Sequence, residues 1–134
     1  MVKFLVIGVL VVIVFPVCAS AHYEGELLPD SVAVMEYQMV IQMTPKDTLT
    51  RNKLGMVYIR QGKLDKARGE FMEILKVDPK DFDALDSLGM VSDKEGKYRE
   101  AAGWYTKALK VRDGDAGVKK RLDAVNGKLK DKLR

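Results

Sequence analysis

Apolar residues recur at helical spacing from residue 30 onward and predict six helices. The first helix carries one buried stripe at the i, i+1, i+4, i+7 and i+8 spacing, made of Ala33, Val34, Tyr37, Val40 and Ile41. We expect Asp30 or Ser31 to accept hydrogen bonds from its first-turn amides. The six predicted helices span residues 30–43, 48–60, 64–76, 82–94, 98–110 and 116–134.

The middle of the chain contains two consecutive copies of one 34-residue sequence pattern. Residues 48–81 align without a gap on residues 82–115, with 12 identities in 34 positions, which is too many for chance. A fixed period of this length is the signature of a stacked repeat array. Gly62 and Gly96 recur between the two helices of each unit, where glycine can adopt the left-handed backbone that ends a helix. Small residues at four matched positions are expected to let the paired helices approach closely: Gly55, Ala67, Gly89 and Ala101.

Both ends of the array carry incomplete copies of the unit. Residues 30–47 align with residues 64–81, so the first helix matches the second helix of a unit whose first helix is missing. Residues 116–134 place apolar side chains on one helical face, which suits a capping helix that covers the last interface. Asn126-Gly127 weakens the middle of this helix, and we expect its last turn to fray.

These motifs resemble the tetratricopeptide repeat family, whose unit is a helix-turn-helix. The resemblance covers residues 30–115 and implies an all-α solenoid of about two and a half repeats with a C-terminal capping helix. Ser92 and Asp113 depart from the family pattern, at positions where an aromatic residue and a proline are usual. The residues that carry the resemblance are Leu54, Gly55, Tyr58, Ala67, Phe71 and Pro79 in the first unit, and Leu88, Gly89, Ala101, Tyr105 and Ala108 in the second.

Residues 1–21 have the pattern of a targeting segment. An unbroken apolar run at residues 4–15 follows a lysine, and the small residues Ala-Ser-Ala precede His22 as a cleavage pattern. This predicts an exported protein, periplasmic or otherwise extracytoplasmic, that begins at His22 after cleavage. An uncleaved N-terminal anchor and lipidation at Cys18 are the alternatives. Residues 22–29 show no helical period and are predicted to be an extended lead-in.

Residues that carry chemistry are scarce beyond the targeting segment. No cysteine is present there, and the one histidine, His22, precedes the repeat domain at residues 30–134. A nucleophile with a histidine base and the usual zinc sites are therefore excluded. The clustered aspartates between residues 78 and 86 lack the glycine and the ligand spacing of a calcium loop. A formal net charge of +4 is too small for a dedicated nucleic-acid binder. We predict no enzyme activity, no catalytic residue, no cofactor, no metal and no nucleic-acid partner.

The resemblance also implies a binding surface. In this family the first helices of successive units line a concave groove that receives peptides or partner segments. One subfamily captures C-terminal carboxylates of heat-shock chaperones there, but only Arg121 fits its pattern, because Met56, Ser87 and Gly117 occupy other clamp positions. A mixed groove with two central methionines suits an adaptable contact with a protein segment. The implied groove residues are Asn52, Lys53, Met56, Ile59, Arg60, Asp83, Asp86, Ser87, Met90, Asp93, Lys94, Lys120, Arg121 and Ala124.

A second candidate surface lies on the first helix. Met35, Met39 and Met43 are spaced by four residues beside the buried stripe. Either the lead-in folds back over this methionine strip, or the strip is a surface for a partner or for self-association. Trp104 poses a similar choice between packing and an interface anchor, and we expect it to pack on the cap helix.

The last helix is strongly basic. Its charge is either a solvated surface or a docking patch for anionic lipid headgroups or an acidic partner. The basic residues are Lys119, Lys120, Arg121, Lys128, Lys130, Lys132 and Arg134.

Together these features predict a non-enzymatic adaptor or scaffold in a cell-envelope assembly, which binds a protein segment through the groove. The alternative is a membrane-apposed structural protein, held by an uncleaved N-terminus and the basic C-terminal helix.

Overall fold

Six helices follow one another along the described part of the chain, which is residues 29–134 of a computed structural model. All six predicted helices are confirmed, although α3 and α5 each extend one residue further than predicted and α6 ends two residues earlier. The targeting segment and residues 22–28 of the lead-in lie outside the described residues, so the predictions made for them stay predictions. The helices are α1 (Asp30–Met43), α2 (Thr48–Arg60), α3 (Leu64–Val77), α4 (Phe82–Lys94), α5 (Tyr98–Val111) and α6 (Ala116–Lys132).

Aspartate side chains begin α2, α4 and α6. Asp47, Asp81 and Asp115 each accept a hydrogen bond from the backbone N–H three residues later, at 3.1, 2.8 and 2.9 Å respectively. These bonds satisfy first-turn amides that have no partner within the helix, and the carboxylate charge suits a helix N-terminus. The three aspartates are spaced by the repeat length, so each unit begins in the same way.

The predicted side-chain cap of α1 is wrong. Pro29 precedes this helix, and its carbonyl accepts hydrogen bonds from two first-turn amides at 2.9 and 3.1 Å. Neither Asp30 nor Ser31 caps the helix with its side chain. Asp30 instead accepts a hydrogen bond from the guanidinium of Arg60 at 2.7 Å, which joins the start of α1 to the end of α2.

Glycine in the left-handed region ends the first helix of each unit. Gly62 has a φ of 71° and Gly96 a φ of 73°, as predicted from their repeat positions. A third such glycine, Gly114 with a φ of 83°, was not predicted. It lies in the loop between α5 and α6, where Asp113 occupies the position of the usual proline. Gly114, the next residue, supplies the turn that this proline would have favoured.

The two helices of each unit cross at a glycine that lies beneath an aromatic ring. A Cβ atom placed on Gly55 would lie 2.6 Å from the ring of Phe71, and one on Gly89 would lie 2.4 Å from the ring of Tyr105. The close approach was predicted, and the atoms nearest to each glycine belong to these aromatic rings. Ala67 and Ala101 are fully buried in the core.

Two apolar clusters run through the array. The first includes Leu54, Phe71 and Leu88 and joins α2, α3 and α4, with side chains of the predicted α1 stripe packed against it. The second joins α4 and α5 to α6, whose Val118 and Val125 have no exposed surface. The predicted capping role of α6 is therefore confirmed. Its helix continues through Asn126 and Gly127, because these burials hold it to α5.

Ser92 shows how the array accommodates its departure from the family pattern. Its side chain is fully buried, and its hydroxyl donates to the carbonyl of Leu88 at 2.9 Å. Arg68 of α3 reaches over it, donating to the Ser92 hydroxyl at 3.2 Å and to Glu95 and Glu100 at 2.6 Å each. A charged network thus lies beside Ser92, where an aromatic side chain is usual.

Candidate functional site

Helix α4 contacts both α2 and α6 through side chains on one face of these helices, which we call the first-helix face. Two ion pairs join α4 to α6. Arg121 donates two hydrogen bonds to the carboxylate of Asp86, at 3.0 and 2.6 Å, and Lys128 donates to Asp93 at 2.7 Å. These pairs were missed by the sequence analysis, because residues 35 positions apart become neighbours only when the lateral placement of the helices is known.

Burial and pairing act in opposite directions on the carboxylate of Asp86. Burial raises its pKa, and the hydrogen bonds from Arg121 oppose that shift. The hydrogen bond to Asp93 raises the pKa of Lys128. A two-pronged guanidinium–carboxylate pair fixes both side chains in position. Arg121 is thus paired with Asp86. It was the one residue that fitted the pattern of the subfamily that captures C-terminal carboxylates, and this pairing engages its guanidinium.

Methionine and serine side chains join α2 to α4. The Ser87 hydroxyl lies 4.0 Å from the sulfur of Met56, and both Met56 and Met90 are partly buried. The structure contradicts two of the implied groove residues. Ile59 is 8% exposed and belongs to the first apolar cluster, and Ser87 is 6% exposed, so neither offers much surface to a partner. Ile59 lies on the edge of α2 that turns toward the core.

The remaining predicted residues on the first-helix face are accessible or partly accessible. Lys53, Asp83, Lys94 and Lys120 are exposed, and Ala124 of α6 is exposed beside them. Arg60 is exposed but pairs with Asp30, as described above. Asn52 is partly buried, and its side-chain oxygen has no hydrogen-bond partner within the described residues. Within residues 29–134, four predicted charged residues of this face form no ion pair: Lys53, Asp83, Lys94 and Lys120.

The methionine strip of α1 faces solvent. Met35, Met39 and Met43 are 69%, 61% and 79% exposed. Matched positions in the complete units, such as Gly69 and Gly103, are also exposed, so this side of a second helix is not one that the repeat normally covers. The strip is thus an apolar addition to a surface that is otherwise solvated. The prediction that the lead-in covers it lies outside the described residues.

Trp104 packs within the fold. It is partly buried and packs against both apolar clusters, the second of which joins α4, α5 and α6. Its packing on the cap helix itself stays a prediction. Its indole N–H donates to Glu100 at 3.2 Å. The ammonium of Lys107 lies 4.2 Å from the centroid of its ring, a cation–π contact.

Within residues 29–134, no group of three or more histidine, cysteine or acidic side chains is arranged to hold a metal ion. None of the helices in that range is long and apolar enough to cross a membrane. Of the basic residues on α6, Arg121 and Lys128 are engaged with α4, while Lys119, Lys120 and Lys130 are exposed.

Comparison with known proteins identifies the repeat. Models of the tetratricopeptide repeat match residues 50–81 and 84–118. No curated protein matches the sequence.

Solved structures with the same fold share little sequence with this chain. The first tetratricopeptide repeat domain of Spaghetti, bound to an HSP90 peptide, superposes with a TM-score of 0.72 at 16% identity, covering 75% of this chain and 79% of that one. The Sgt2 domain from Aspergillus fumigatus gives 0.73 at 22% identity, covering 78% and 71%. MamA gives 0.70 at 20% identity, covering 75% and 58%. At these identities the similarity shows the fold alone.

Proposed function

Because the chain belongs to the tetratricopeptide repeat family, we propose that it is a non-enzymatic adaptor or scaffold that binds a protein segment through the first-helix face. The observation that carries this proposal is a set of exposed charged side chains on α2, α4 and α6 that form no ion pair within the described residues 29–134. Lys53, Asp83, Lys94 and Lys120 are exposed on the same three helices, and Met56 and Met90 are partly buried on α2 and α4. Methionine side chains adapt their shape to a partner, and the charges around them select its orientation.

The floor of this face is fixed before a partner arrives. The Asp86–Arg121 and Asp93–Lys128 pairs hold α6 against α4, so a partner segment meets a surface that needs little reordering. A solved tetratricopeptide repeat domain of the same fold is bound to an HSP90 peptide, which supports a peptide segment as the class of ligand. The engagement of Arg121 with Asp86 favours a segment other than a C-terminal carboxylate.

Affinity capture with matched methionine variants tests the proposal. The parent, Met56→Glu/Met90→Glu and Met35→Glu/Met39→Glu are used as baits under the same conditions, after circular dichroism has shown that each is folded. We expect the first variant to lose the captured partner and the second to retain it, because both change the charge equally but only the first alters the first-helix face. If only Met35→Glu/Met39→Glu loses the captured partner, the partner binds at the methionine strip and not at the first-helix face.

We propose further that the partner belongs to a cell-envelope assembly. The support is the targeting pattern of residues 1–21, in which an apolar run precedes a small-residue cleavage pattern. N-terminal sequencing of the protein recovered from cell fractions tests this. His22 as the first residue of an extracytoplasmic fraction is the expected result, whereas Met1 in a membrane fraction would favour the anchored alternative. Recovery in the cytoplasmic fraction would contradict export.

Membrane apposition is the second candidate function. The exposed lysines Lys119, Lys120 and Lys130 on α6 favour it, since clustered cations attract anionic headgroups. It predicts salt-sensitive binding to anionic vesicles that is lost when residues 128–134 are removed. Absence of binding at low salt would exclude it.

Self-association through the methionine strip is a further proposal, and the exposure of Met35, Met39 and Met43 supports it. Sedimentation of Met35→Lys/Met39→Glu against the parent tests it. A dimeric parent and a monomeric variant are expected. A monomeric parent would end this proposal.

A further inference from the structure

A crevice with a volume of about 390 Å³ opens between the loop that joins α3 to α4 and the C-terminal half of α5. None of its lining residues belongs to the first-helix face or to the methionine strip. Its volume lies toward the lower end of the range of ligand clefts. The lining residues are Pro79, Lys80, Leu85, Lys107, Lys110 and Val111.

The crevice combines an apolar floor with a basic rim. Leu85 is buried and Val111 is 42% exposed, so the crevice has a hydrophobic base that solvent can reach from one side. Lys80, Lys107 and Lys110 contribute the rim, and no acidic residue lines the crevice. In the part of the chain that the structure describes, none of these three lysines forms an ion pair.

The first repeat unit has a different side chain, with different contacts, at the position that matches Leu85. Arg51 stands where the second unit has Leu85, and its guanidinium donates to the carbonyl of Pro45 at 3.1 and 3.0 Å and to Glu70 at 2.8 Å. The arginine therefore spans from the loop to the second helix. In the second unit the buried Leu85 makes no such bridge, and the crevice lies open.

The two acidic residues beside this position in the first unit have no acidic counterpart in the second unit. In the first unit Glu70 pairs with Arg51 and Glu73 pairs with Lys76, so the charges there are balanced internally. In the second unit Trp104 replaces Glu70 and Lys107 replaces Glu73. Lys107 is held over the ring of Trp104 at 4.2 Å, a contact that positions the ammonium without neutralising its charge. At the matched positions the second unit thus lacks both carboxylates, and Lys107 offsets the absence of Arg51, so three cations remain without the two anions.

We propose that this crevice is a second binding site, which takes an acidic protein segment that carries one apolar side chain between carboxylates. The apolar side chain would enter the recess over Leu85 and Val111, and the flanking carboxylates would meet the three lysines of the rim. Charge complementarity favours the acidic segment, since the rim has three cations and no anion. The recess favours a protein side chain over a membrane surface, because flat anionic headgroups need no apolar pocket. The site is separate from the first-helix face and does not depend on the function proposed for it.

The binding can be measured on the full chain with synthetic peptides. The probe is an N-acetylated Glu-Asp-Phe-Asp-Glu peptide, with glycine in place of phenylalanine in one control peptide and lysine in place of the acids in another. Trp104 is the only tryptophan of the chain and lies under Lys107, so its fluorescence reports occupancy at this crevice. We expect a saturable change with the probe and none with either control peptide.

Three variants locate the site by calorimetric titration with the same probe. Lys107→Glu copies the residue of the first unit and should weaken binding roughly tenfold by reversing a rim charge. Val111→Arg fills the recess while adding a positive charge, and should also weaken binding roughly tenfold if the apolar side chain must enter. Lys63→Glu makes the same charge change as Lys107→Glu at an exposed position outside the crevice and should leave the affinity unchanged.

Four results would overturn the proposal. One is equal binding of the glycine control peptide, and another is unchanged or tighter binding by Val111→Arg, since general electrostatic attraction would be strengthened by the added charge. The third is absence of saturable binding by the parent. The fourth is binding of phosphatidylglycerol vesicles, but not of the peptide, by the parent and Val111→Arg alike. Circular dichroism of each variant confirms that a loss of binding is not a loss of folding.

Discussion

Gly55 lies so close to the ring of Phe71 that no side chain fits between them. Gly55→Ala should therefore force the ring or the helix to move, and we expect a loss of about 1–3 kcal/mol in the free energy of unfolding. Gly69→Ala is the matched control, since Gly69 lies within the adjacent α3 with no heavy atom within 4 Å of an added Cβ. It should stabilise by roughly 0.5–1 kcal/mol through helix propensity. Urea unfolding of both variants measures this, and a Gly55→Ala variant as stable as the parent would refute the close packing.

Arg68 is expected to compensate for the missing aromatic residue at Ser92. Arg68→Val removes the bonds to Ser92, Glu95 and Glu100 and should cost about 1–3 kcal/mol, because charged partners lose their hydrogen bonds. Arg68→Val/Ser92→Phe should recover roughly half of that loss, since the first unit packs Val34 and Tyr58 at the matched positions. Phenylalanine is chosen because the Tyr58 hydroxyl has a partner, Gln38, that the second unit lacks.

Chemical denaturation of the parent, Arg68→Val, Ser92→Phe and the double variant gives the coupling between the positions. A double variant no more stable than Arg68→Val would show that the arginine network does not replace aromatic packing.

Tyr105 should make the fold sensitive to alkali. Burial raises its pKa from 10.0 to about 12, so the folded chain retains the phenolic proton at a pH where the unfolded chain has lost it. Stability is then fully present below pH 10 and declines between pH 10 and about 12. Tyr105→Phe copies Phe71 of the first unit and should remove this part of the decline. The urea midpoints of the parent and the variant are compared across this pH range. An equal loss of stability in both proteins would contradict the assignment to Tyr105.

Whether a residue-scale feature could be predicted from the sequence depends on how local its contacts are. The turn glycines Gly62 and Gly96 could be predicted, because each acts within one turn of its own helix. The partners of Gly55 and Gly89 could not, since the ring that covers a glycine depends on how two helices cross. The bridges from Arg51 and Arg68 also escaped prediction, because a long side chain can reach several neighbours.

At the scale of elements, α6 is the helix on which the end of the array depends. Val118 and Val125 are fully buried against α4 and α5. A chain that ends at Asp115 should therefore lose at least about 3 kcal/mol of stability through these two side chains alone. A chain that ends at Lys132 removes only exposed residues and should match the parent. Thermal unfolding followed by circular dichroism compares them, and similar melting of both chains would show that α6 is dispensable.

The number of helices, and their ends to within two residues, could be predicted because the signals that begin and end each helix recur with the 34-residue period. The start of α1 at Asp30 was predicted correctly, but its side-chain cap was not: the carbonyl of Pro29 accepts the first-turn hydrogen bonds instead. The middle of α6 was expected to be weak from Asn126-Gly127, yet tertiary burial outweighs local propensity there.

At the scale of the whole molecule, the repeat provides a rigid frame and the differences between its copies provide candidate sites. The first-helix face could be located from the family resemblance, but its charge pairing could not, because α4 and α6 meet only in the assembled array. Ile59 and Ser87 were misplaced for the same reason: their burial depends on neighbouring units. The crevice over Leu85 was not predicted at all, although the exchange of Arg51 for Leu85 was visible in the aligned units.

Site-specific photo-crosslinking tests the central claim most directly. A photoreactive phenylalanine is placed at Met56 or Met90 on the first-helix face, and at Gly69 or Gly103 on the exposed side of the second helices. The first two positions should crosslink the same partner protein, in adjacent segments of that protein, and the last two should not. Crosslinking from Gly69 and Gly103 but not from Met56 and Met90 would contradict the account.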